Sequence, residues 1–345
     1  MTLHDLSCVA HVHSTHSDGT ATVPEIAADA RAAGAQAVLV TDHDALAPGS
    51  GWHDGVLVLS GVEVSLRRGA HFLAFGIPEP IRHRGLDAAG VAAAVAARGG
   101  FGFAAHPFAH GRRSPGAWPA LDAPGVTGLE LWNVASDVVD GVHSPLDVLR
   151  FLRNPDRTLD LGPPAANLAG WDRLCARRRI AALGGVDAHQ LGVRIAGRVL
   201  SPMPNRRWFG WLRTHLLLGA PPTGELEHDA GLVLEALREG RAWLHRPPAG
   251  PAAGARLWLE RDGEPDVPMG AETAARPGRL RLALPRAADV RVLRDGTPIA
   301  DERGVSELAL DVSHAGAHRV EARIDGRVWL LSNPVYLRAD WPVSQ

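Results

Sequence analysis

Lysine is absent from this 345-residue sequence, so every one of its 36 basic Lys/Arg-class residues is arginine. With 38 glycines, 26 prolines and abundant alanine, that absence marks a biased coding composition rather than a functional demand. Cysteine is nearly absent. Cys8 and Cys175 stand alone, neither in a C-x-x-C pattern, and two thiols cannot build a disulfide framework. This fits a reducing compartment. There is no excess of charge: the formal net charge is −2, which argues against a large nucleic-acid groove and leaves room only for a short oligonucleotide. No apolar run is long enough to span a bilayer. The opening "MTLHDLSCVAHVHS" has neither a basic n-region nor a long apolar h-region, so no signal peptide is readable. A soluble, cytoplasmic protein is the expectation. Low-complexity tracts and long internal repeats are also missing. What is present is 46% hydrophobic residues, ample for a packed core, in a length that suits one large domain or two.

Up to about residue 245, strand-like apolar runs alternate with Ala-rich helical runs. "VPEIAADARAAG" (23–34) has apolar residues at helical spacing, Pro24 in its first turn and Gly34 as a stop. "LDAAGVAAAVAARGG" (86–100) and "HDAGLVLEALREG" (228–240) are further predicted helices. "AQAVLVTDHD" (35–44), "FGFAAHPF" (101–108), "VTGLELWN" (126–133) and "RIAALGGVDAH" (179–189) are predicted strands. The alternation argues for an α/β fold with a parallel sheet. Polar residues recur where the apolar runs end: Asp42 and His43, His106, Glu130 and Asn133, Asp187 and His189. In a closed α/β barrel such strand ends converge on one mouth. Composition changes at "HRPPAGPAAGARL". The expected division is residues 1–246, a Pro/Gly-rich linker at 247–255, and 256–345. The last segment reads as short strands with Asp-Gly turns at Asp262, Asp295 and Asp325, hence a small β-sandwich.

The chemistry lies in "AHVHSTHSDGT", which crowds His11, His13, His16 and Asp18 together. His11 and His13, two apart on an apparent strand, share a face and can meet one ion. An isolated H-x-H is weak evidence, since about one arises by chance at this histidine frequency. The weight comes from accumulation. Glu63 and His71 sit in otherwise apolar strands, where a lone buried carboxylate is costly without a cation. His106 precedes a proline, and Asp187 and His189 repeat the i, i+2 spacing. A nitrogen and oxygen donor set without thiolates suits zinc, manganese or iron. At about three to five protein ligands per ion, nine candidates imply two or three divalent ions.

"HVHSTHSDG", "TDHD", "GVEVS", "AAHPF" and "GGVDAH", in that order, resemble the motifs of the polymerase-and-histidinol-phosphatase (PHP) superfamily of metal-dependent phosphoesterases. The likeness covers residues 8 to about 245. It implies a distorted (β/α)7 PHP barrel with a metal cluster, usually trinuclear, at its mouth. It further implies one ion on His11, His13, Glu63 and Asp187. A second ion falls on Glu63, His71 and His106, with Glu63 bridging, and a third on Asp18, His43 and His189. His16 matches no ligand position. A narrower likeness, carried by "FAAHPF", "GLELWN", "LGGVDAH" and an all-β tail ending in "WLLSNPVYL", is to the carbaryl-hydrolase-type (CehA/McbA) metallohydrolases.

The expected activity is hydrolysis of a small-molecule phosphate ester by a metal-bridging hydroxide, with Glu63, Asp187, His43 and His189 as the catalytic set. No G-x-S-x-G pattern offers a competing nucleophile. Arg194 or Arg198 is the expected grip on a phosphoryl oxygen. Asn133 is read as a substrate contact, with a hydrogen-bonding role towards the cluster as the competing reading for it and for Glu130. His16 and His110 read as surface or packing residues. The Arg67–Arg68, Arg112–Arg113 and Arg206–Arg207 pairs read as solvated faces, and "RRWFGWLRTHLLL" as core with an apolar lid as its rival. The β tail reads as structural or dimer-forming, which keeps a homo-oligomer open. Two rival functions stand beside the phosphoesterase. One is a carbamate, carboxyl-ester or amide hydrolase using the same hydroxide. The other is a metal-bearing binding module without turnover.

Overall fold

In a computed structural model of the chain, residues 3–66, 69–108, 118–141, 143–156, 162–190, 192–196, 198–201 and 203–341 are described, with backbone alone for 152, 198 and 200. The fold is mixed α/β. Its first strands are β1 (His4–Val12), β2 (Ala37–His43), β3 (Gly51–His53), β4 (Val56–Ser65), β5 (His71–Phe75), β6 (Phe101–Ala105), β7 (Val126–Asn133) and β8 (Ala181–Gly185). Parallel bonding joins β1 to β2, β2 to β4, β6 to β7 and β7 to β8. The pairs β4–β5 and β5–β6 are antiparallel. After β8 the chain bonds back to β1: Val186 N–H donates to the Ala10 carbonyl and His13 N–H to the Ala188 carbonyl, both at 3.0 Å. The row of strands therefore returns on itself.

Local chemistry explains the helices. In α1 (Val23–Ala32), the Glu25 carboxylate accepts from the Thr22 N–H at 2.8 Å, and Val23, Ile26, Ala27 and Ala30 form the buried face. In α2 (Ala88–Ala96), shorter than its predicted span of 86–100, Asp87 caps the Gly90 N–H. The helix Leu226–Glu239 stops at Gly240, whose φ of 68° is left-handed. Alternation along the strands sorts side chains into two layers. Val9, Val38, Val58 and Val62 pack outward beneath α1 and α2. Leu6, Cys8, Leu39, Phe75, Phe103 and Leu183 fill the interior, with Val233, Ala236 and Leu237 of the 226–239 helix packed among them. Phe209 and Trp211 are buried, which bears out the core reading of "RRWFGWLRTHLLL".

Strands β9 (Val193–Ile195) and β10 (Arg198–Leu200) form a separate hairpin, and β11 (Arg213–Leu218) pairs with β1 and with β12 (Ala242–His245). Residues Pro247–Ala249 form one short 3-10 turn. The remaining strands are β13 (Arg256–Glu260), β14 (Val267–Pro268), β15 (Glu272–Ala274), β16 (Gly278–Arg294), β17 (Thr297–Val312), β18 (Gly316–Ile324), β19 (Arg327–Ser332) and β20 (Val335–Arg338). The sequence suggested short strands throughout, but β16 and β17 span 17 and 16 residues. A register shift between Ala283 and Ala288 carries β16 across Pro285, which has no N–H to give a ladder. Asp295 and Asp325, each at φ 50°, make the expected two-residue turns. Asp262 instead opens a longer loop between β13 and β14.

The two parts of the chain are stitched together beyond the 247–255 stretch. The outer edge of β12 pairs with β19. Asn333 extends that sheet with its side chain: Oδ1 accepts from the Ala182 N–H at 2.6 Å, and Nδ2 donates to the Ala182 and Ala242 carbonyls at 3.0 Å. Tyr336 Oη brackets both backbone polar groups of Ile180. Buried Arg319 of β18 grips Asp172 of the helix Ala165–Cys175 through two bonds of 2.6 and 2.8 Å, and also reaches Glu321. Removing one partner of such a pair strands a buried charge. Asp172→Ala is expected to lower stability by about 3 kcal/mol in urea unfolding. A loss within experimental error would show that the pair does not hold the halves together.

Candidate metal centre

The cluster forms where the parallel strands end. His11 lies near the end of β1 and His13 directly follows it, His43 ends β2 and Glu63 lies in β4. His71 opens the antiparallel β5, while His106 follows β6 and Asp187 and His189 follow β8. Plain strand alternation does not put His11 and His13 on one ion. The β1–β2 register shifts between Val9 and Val12, and His11 takes φ 62°. His106 at φ 30° and Asp187 at φ 53° share the left-handed region, sparsely populated by non-glycine residues. Three candidate ligands thus hold backbone conformations that the surrounding structure must enforce.

Glu63 is at the centre, 1% exposed. Its Oε2 lies 3.0 Å from His11 Nε2, 3.1 Å from His13 Nε2 and 3.4 Å from His43 Nδ1. Its Oε1 lies 2.8 Å from His71 Nδ1 and 3.3 Å from His106 Nε2. Asp187 Oδ1 sits 3.5 Å from His11 Nε2 and 3.3 Å from His13 Nε2. At the outer edge, Asp18 Oδ1 approaches His189 Nε2 at 3.3 Å and Oδ2 approaches His43 Nε2 at 3.7 Å.

These atoms come together in three donor groups: His11, His13, Glu63 and Asp187; His13, Asp18, His43 and His189; and His43, Glu63 and His71. The first is the expected set for the first ion. The second adds His13 to the expected third set. In the remaining group His43 accompanies Glu63 and His71, while His106 faces the same Glu63 oxygen as His71.

The donors fit divalent ions. His11 Nε2, His13 Nε2, Glu63 Oε2 and His71 Nδ1 are buried without a hydrogen-bond partner despite their short separations. Their lone pairs are not aimed at one another, as expected of atoms that converge on a shared centre. An ion bonded at about 2.0–2.2 Å to four tetrahedral donors sets them about 3.3–3.6 Å apart, close to the spacings here.

A layer behind the donors holds them. Glu130, fully buried, accepts from His11 Nδ1 at 2.8 Å and from the His106 N–H at 2.9 Å. Asn133 Nδ2 donates to Glu130 at 2.8 Å and to Asp187 Oδ2 at 3.2 Å, and its Oδ1 accepts from the Ser136 N–H. Its amide is therefore spent on the scaffold. These bonds make buried Asn133 a holder of Glu130 and Asp187, the hydrogen-bonding role towards the cluster. Asp42 accepts from the Ser14 N–H and from the Ser14 and Ser17 hydroxyls at 2.6–2.8 Å, fixing the turn that presents Asp18. A Cβ on Gly185 would lie 1.8 Å from Glu130 Oε1, so only glycine lets Glu130 reach His11. The sequence signal for Glu130 was its place with Asn133 at the end of an apolar run; nothing in the chain order singled out Asp42 as the anchor of the Asp18 turn.

Arg194 sits on the β9–β10 hairpin with its guanidinium 2.9 Å from Glu25 and 3.0 Å from the Thr20 carbonyl. The side chain of Arg198, together with His110, Arg67, Arg68, Arg112 and Arg113, lies outside the described residues. His16 is exposed, in keeping with a surface role.

Charge is divided in the way a cation site requires. Burial opposes the charge on Glu63 and Asp187, yet the His11 imidazolium beside them holds both carboxyls well below the usual range. Burial likewise opposes the charge on His11, but Glu130, Asp187 and Glu63 raise its pKa well above the ordinary value. For His13, burial is outweighed by Asp187 and Glu63, and its pKa stands at about 9.

No protein-family model matches the chain, and no curated protein matches it. Solved structures are similar to it, three of them as follows. A two-domain protein from Bacteroides vulgatus, described as containing a PHP-like metal-dependent phosphoesterase, is 13% identical over 96% of this chain and 95% of its own, with a TM-score of 0.43. A protein of Bifidobacterium adolescentis described as a metal-dependent phosphoesterase is 18% identical over 56% of this chain and 92% of its own, at 0.37. An amidohydrolase from Chromobacterium violaceum, with bound sulfate and no metal, is 18% identical over 53% and 87%, at 0.31. Similarity at this level bears on neither activity nor substrate.

Two outcomes follow from the donor geometry. Gly185→Ala is expected to push Glu130 off His11 and to lose metal in elemental analysis while the fold, read by circular dichroism, stays intact; full metal retention would refute the Glu130 role. In metal-free protein His11 and His13 carry protons at neutral pH that metal must displace. Apparent affinity should rise about tenfold per pH unit per proton released, levelling off for His13 near pH 9. Calorimetry in buffers of different ionisation heat reads the protons directly, and zero release contradicts the assignment.

Proposed function

We propose that this protein is a metal-dependent hydrolase, in its most concrete form a phosphoesterase acting on a small-molecule phosphate ester. One observation carries the reading: buried Glu63 turns Oε2 to His11, His13 and His43 and Oε1 to His71 and His106. That is the arrangement of a carboxylate shared between two cations, with Asp18, His43 and His189 left for a third. Two to three ions of zinc, manganese or iron suit the nitrogen and oxygen donors. Bound there, such ions activate water at neutral pH and neutralise charge on the ester oxygens. The chain's own residues supply position. Glu130 fixes the His11 ring, Asn133 fixes Asp187, and Asp42 fixes the turn bearing Asp18. His11, His13 and Glu63 form a buried floor, whereas Asp18, His43 and His189 are partly exposed, so substrate approaches over these three.

Within this reading, β1, β2, β4, β5, β6, β7 and β8 form a distorted seven-stranded barrel and residues 256–345 a small β-sandwich, divided at 247–255. The return bonds from β8 to β1 and the hairpins of the C-terminal segment support it.

A carbamate or carboxyl-ester hydrolase is the second reading, and two observations favour it. Arg194, the expected phosphoryl grip, is engaged by Glu25, so gripping an anion requires exchanging that pair. A cavity of about 80 Å³ beside His106 is lined, among the described residues, by Asp137 and Asp140 but by no arginine, so it offers an anionic ester no guanidinium. Turnover of nitrophenyl phosphate, bis(nitrophenyl) phosphate, aryl carbamates and aryl acetates by metal-loaded protein separates the two. Turnover of none of them, at full metal content, would favour a binding module.

Glu63→Gln keeps the shape of the bridge and removes the charge that offsets repulsion between two cations. It is expected to lose metal from two sites and nearly all turnover, whereas Asp18→Asn loses about one ion. Elemental analysis of both variants checks this. Full metal content with at least about a tenth of wild-type activity in Glu63→Gln would refute the bridge.

A further inference from the structure

Five arginines gather in a groove away from the metal centre. The groove, of about 690 Å³, lies where the helix Asn205–Phe209, the Pro247–Ala249 turn, β16 and the β18–β19 turn meet. Arg206, Arg207, Arg246, Arg286 and Arg327 line it. Among the described lining residues only Asp156 and Asp325 oppose them, a formal excess of three positive charges in a chain whose acids and bases nearly balance; Asp29 acts on Arg206 from outside the lining. Asp156 is already committed, accepting from Trp211 Nε1 at 2.8 Å and pairing with Arg207 at 3.4 Å. Arg206 donates no hydrogen bond among the described residues, and the one side-chain bond of Arg286 goes to the Ala249 carbonyl at 3.3 Å. Each guanidinium carries five N–H donors, so most of the donor capacity of these two exposed arginines is unspent.

We propose that this groove binds a small polyanion of the phosphate class, carrying about three or more negative charges, and that the ligand bridges the two parts of the chain. The chemistry selects the class. Crowded guanidinium groups repel one another, and a multivalent anion relieves that repulsion where a neutral molecule does not. Their planar forks match phosphoryl oxygens in pairs. The volume falls in the range of small-molecule sites, about 300–1,000 Å³. None of the proposed metal donors lines the groove, so it is a second site. It is nonetheless tied to the first: Asn205, beside Arg206, donates its N–H to the Gln190 side chain at 3.1 Å, next to His189.

Sodium tripolyphosphate is the probe, titrated calorimetrically into metal-loaded full-length protein at fixed ionic strength. Tripolyphosphate also binds divalent ions, so the comparison is with an Arg206→Gln, Arg286→Gln double variant that leaves the metal centre untouched. The expected result is one saturable site in the wild type and binding at least about tenfold weaker in the double variant. Metal content and ester turnover should be equal in both, and the ligand-free melting temperature of the variant no lower than that of the wild type. Arg206→Gln alone serves the same comparison if the double variant folds poorly. Equal binding by wild type and variant would place the ligand elsewhere and overturn the proposal. So would salt-sensitive association in the wild type that never saturates.

Discussion

Glu63 is a carboxylate taken out of water at the point where five imidazoles meet it, and the rest of the centre answers that one constraint. A buried anion is tolerated only beside compensating positive charge. His11, His13, His43, His71 and His106 each lie within 3.4 Å of one of its two oxygens, and the raised pKa values of His11, His13 and His106 supply the compensation. The same electrostatics explains why the pKa values of His11, His13 and His106 are raised against burial, and why divalent ions compete for the same atoms. Asp187 adds a second buried carboxylate and strengthens the demand.

Holding so many like donors within a few ångströms of one another works against their mutual repulsion, so the arrangement depends on what lies behind it. Glu130 locks one ring of the floor, Asn133 locks both Glu130 and Asp187, and Asp42 gathers the Ser14 and Ser17 hydroxyls under the turn that carries Asp18. Left-handed backbone at His11, His106 and Asp187 turns these side chains inward at the strand ends. The closeness of Gly185 to Glu130 shows how little slack remains.

The C-terminal segment takes no part in this. Asn333 and Tyr336 bond to Ala182 and Ile180, at the end of β8 away from Asp187 and His189. It braces the strands from the opposite end and, with the Asn205–Phe209 helix, encloses the arginine-rich groove. Bracing and ligand capture are compatible, because a groove walled by both parts of the chain is held in shape by the contacts that join them.

Much of this was readable before any tertiary contact was known. The candidate donors near strand ends, the α/β alternation and the all-β C-terminal segment follow from residue type and period, which local sequence carries; the choice of Asp18 rather than Asp42 as a donor rested on the family resemblance. Asn133 was visible as a strand-end polar residue with a hydrogen-bonding role towards the cluster among its readings, but its partners Glu130, Asp187 and Ser136 are fixed only by the fold. The single long hairpin of β16 and β17 was hidden because Pro285 looks like a strand end until a bulge carries the pairing past it. The division of Glu63 between two sets of imidazoles, the engagement of Arg194 by Glu25 and the gathering of five arginines join residues far apart in the chain. Residue type and period fix what a segment becomes and which groups it offers; the distances that decide which distant groups share a charge or a cavity are set only when the strands close and the two parts of the chain pack together.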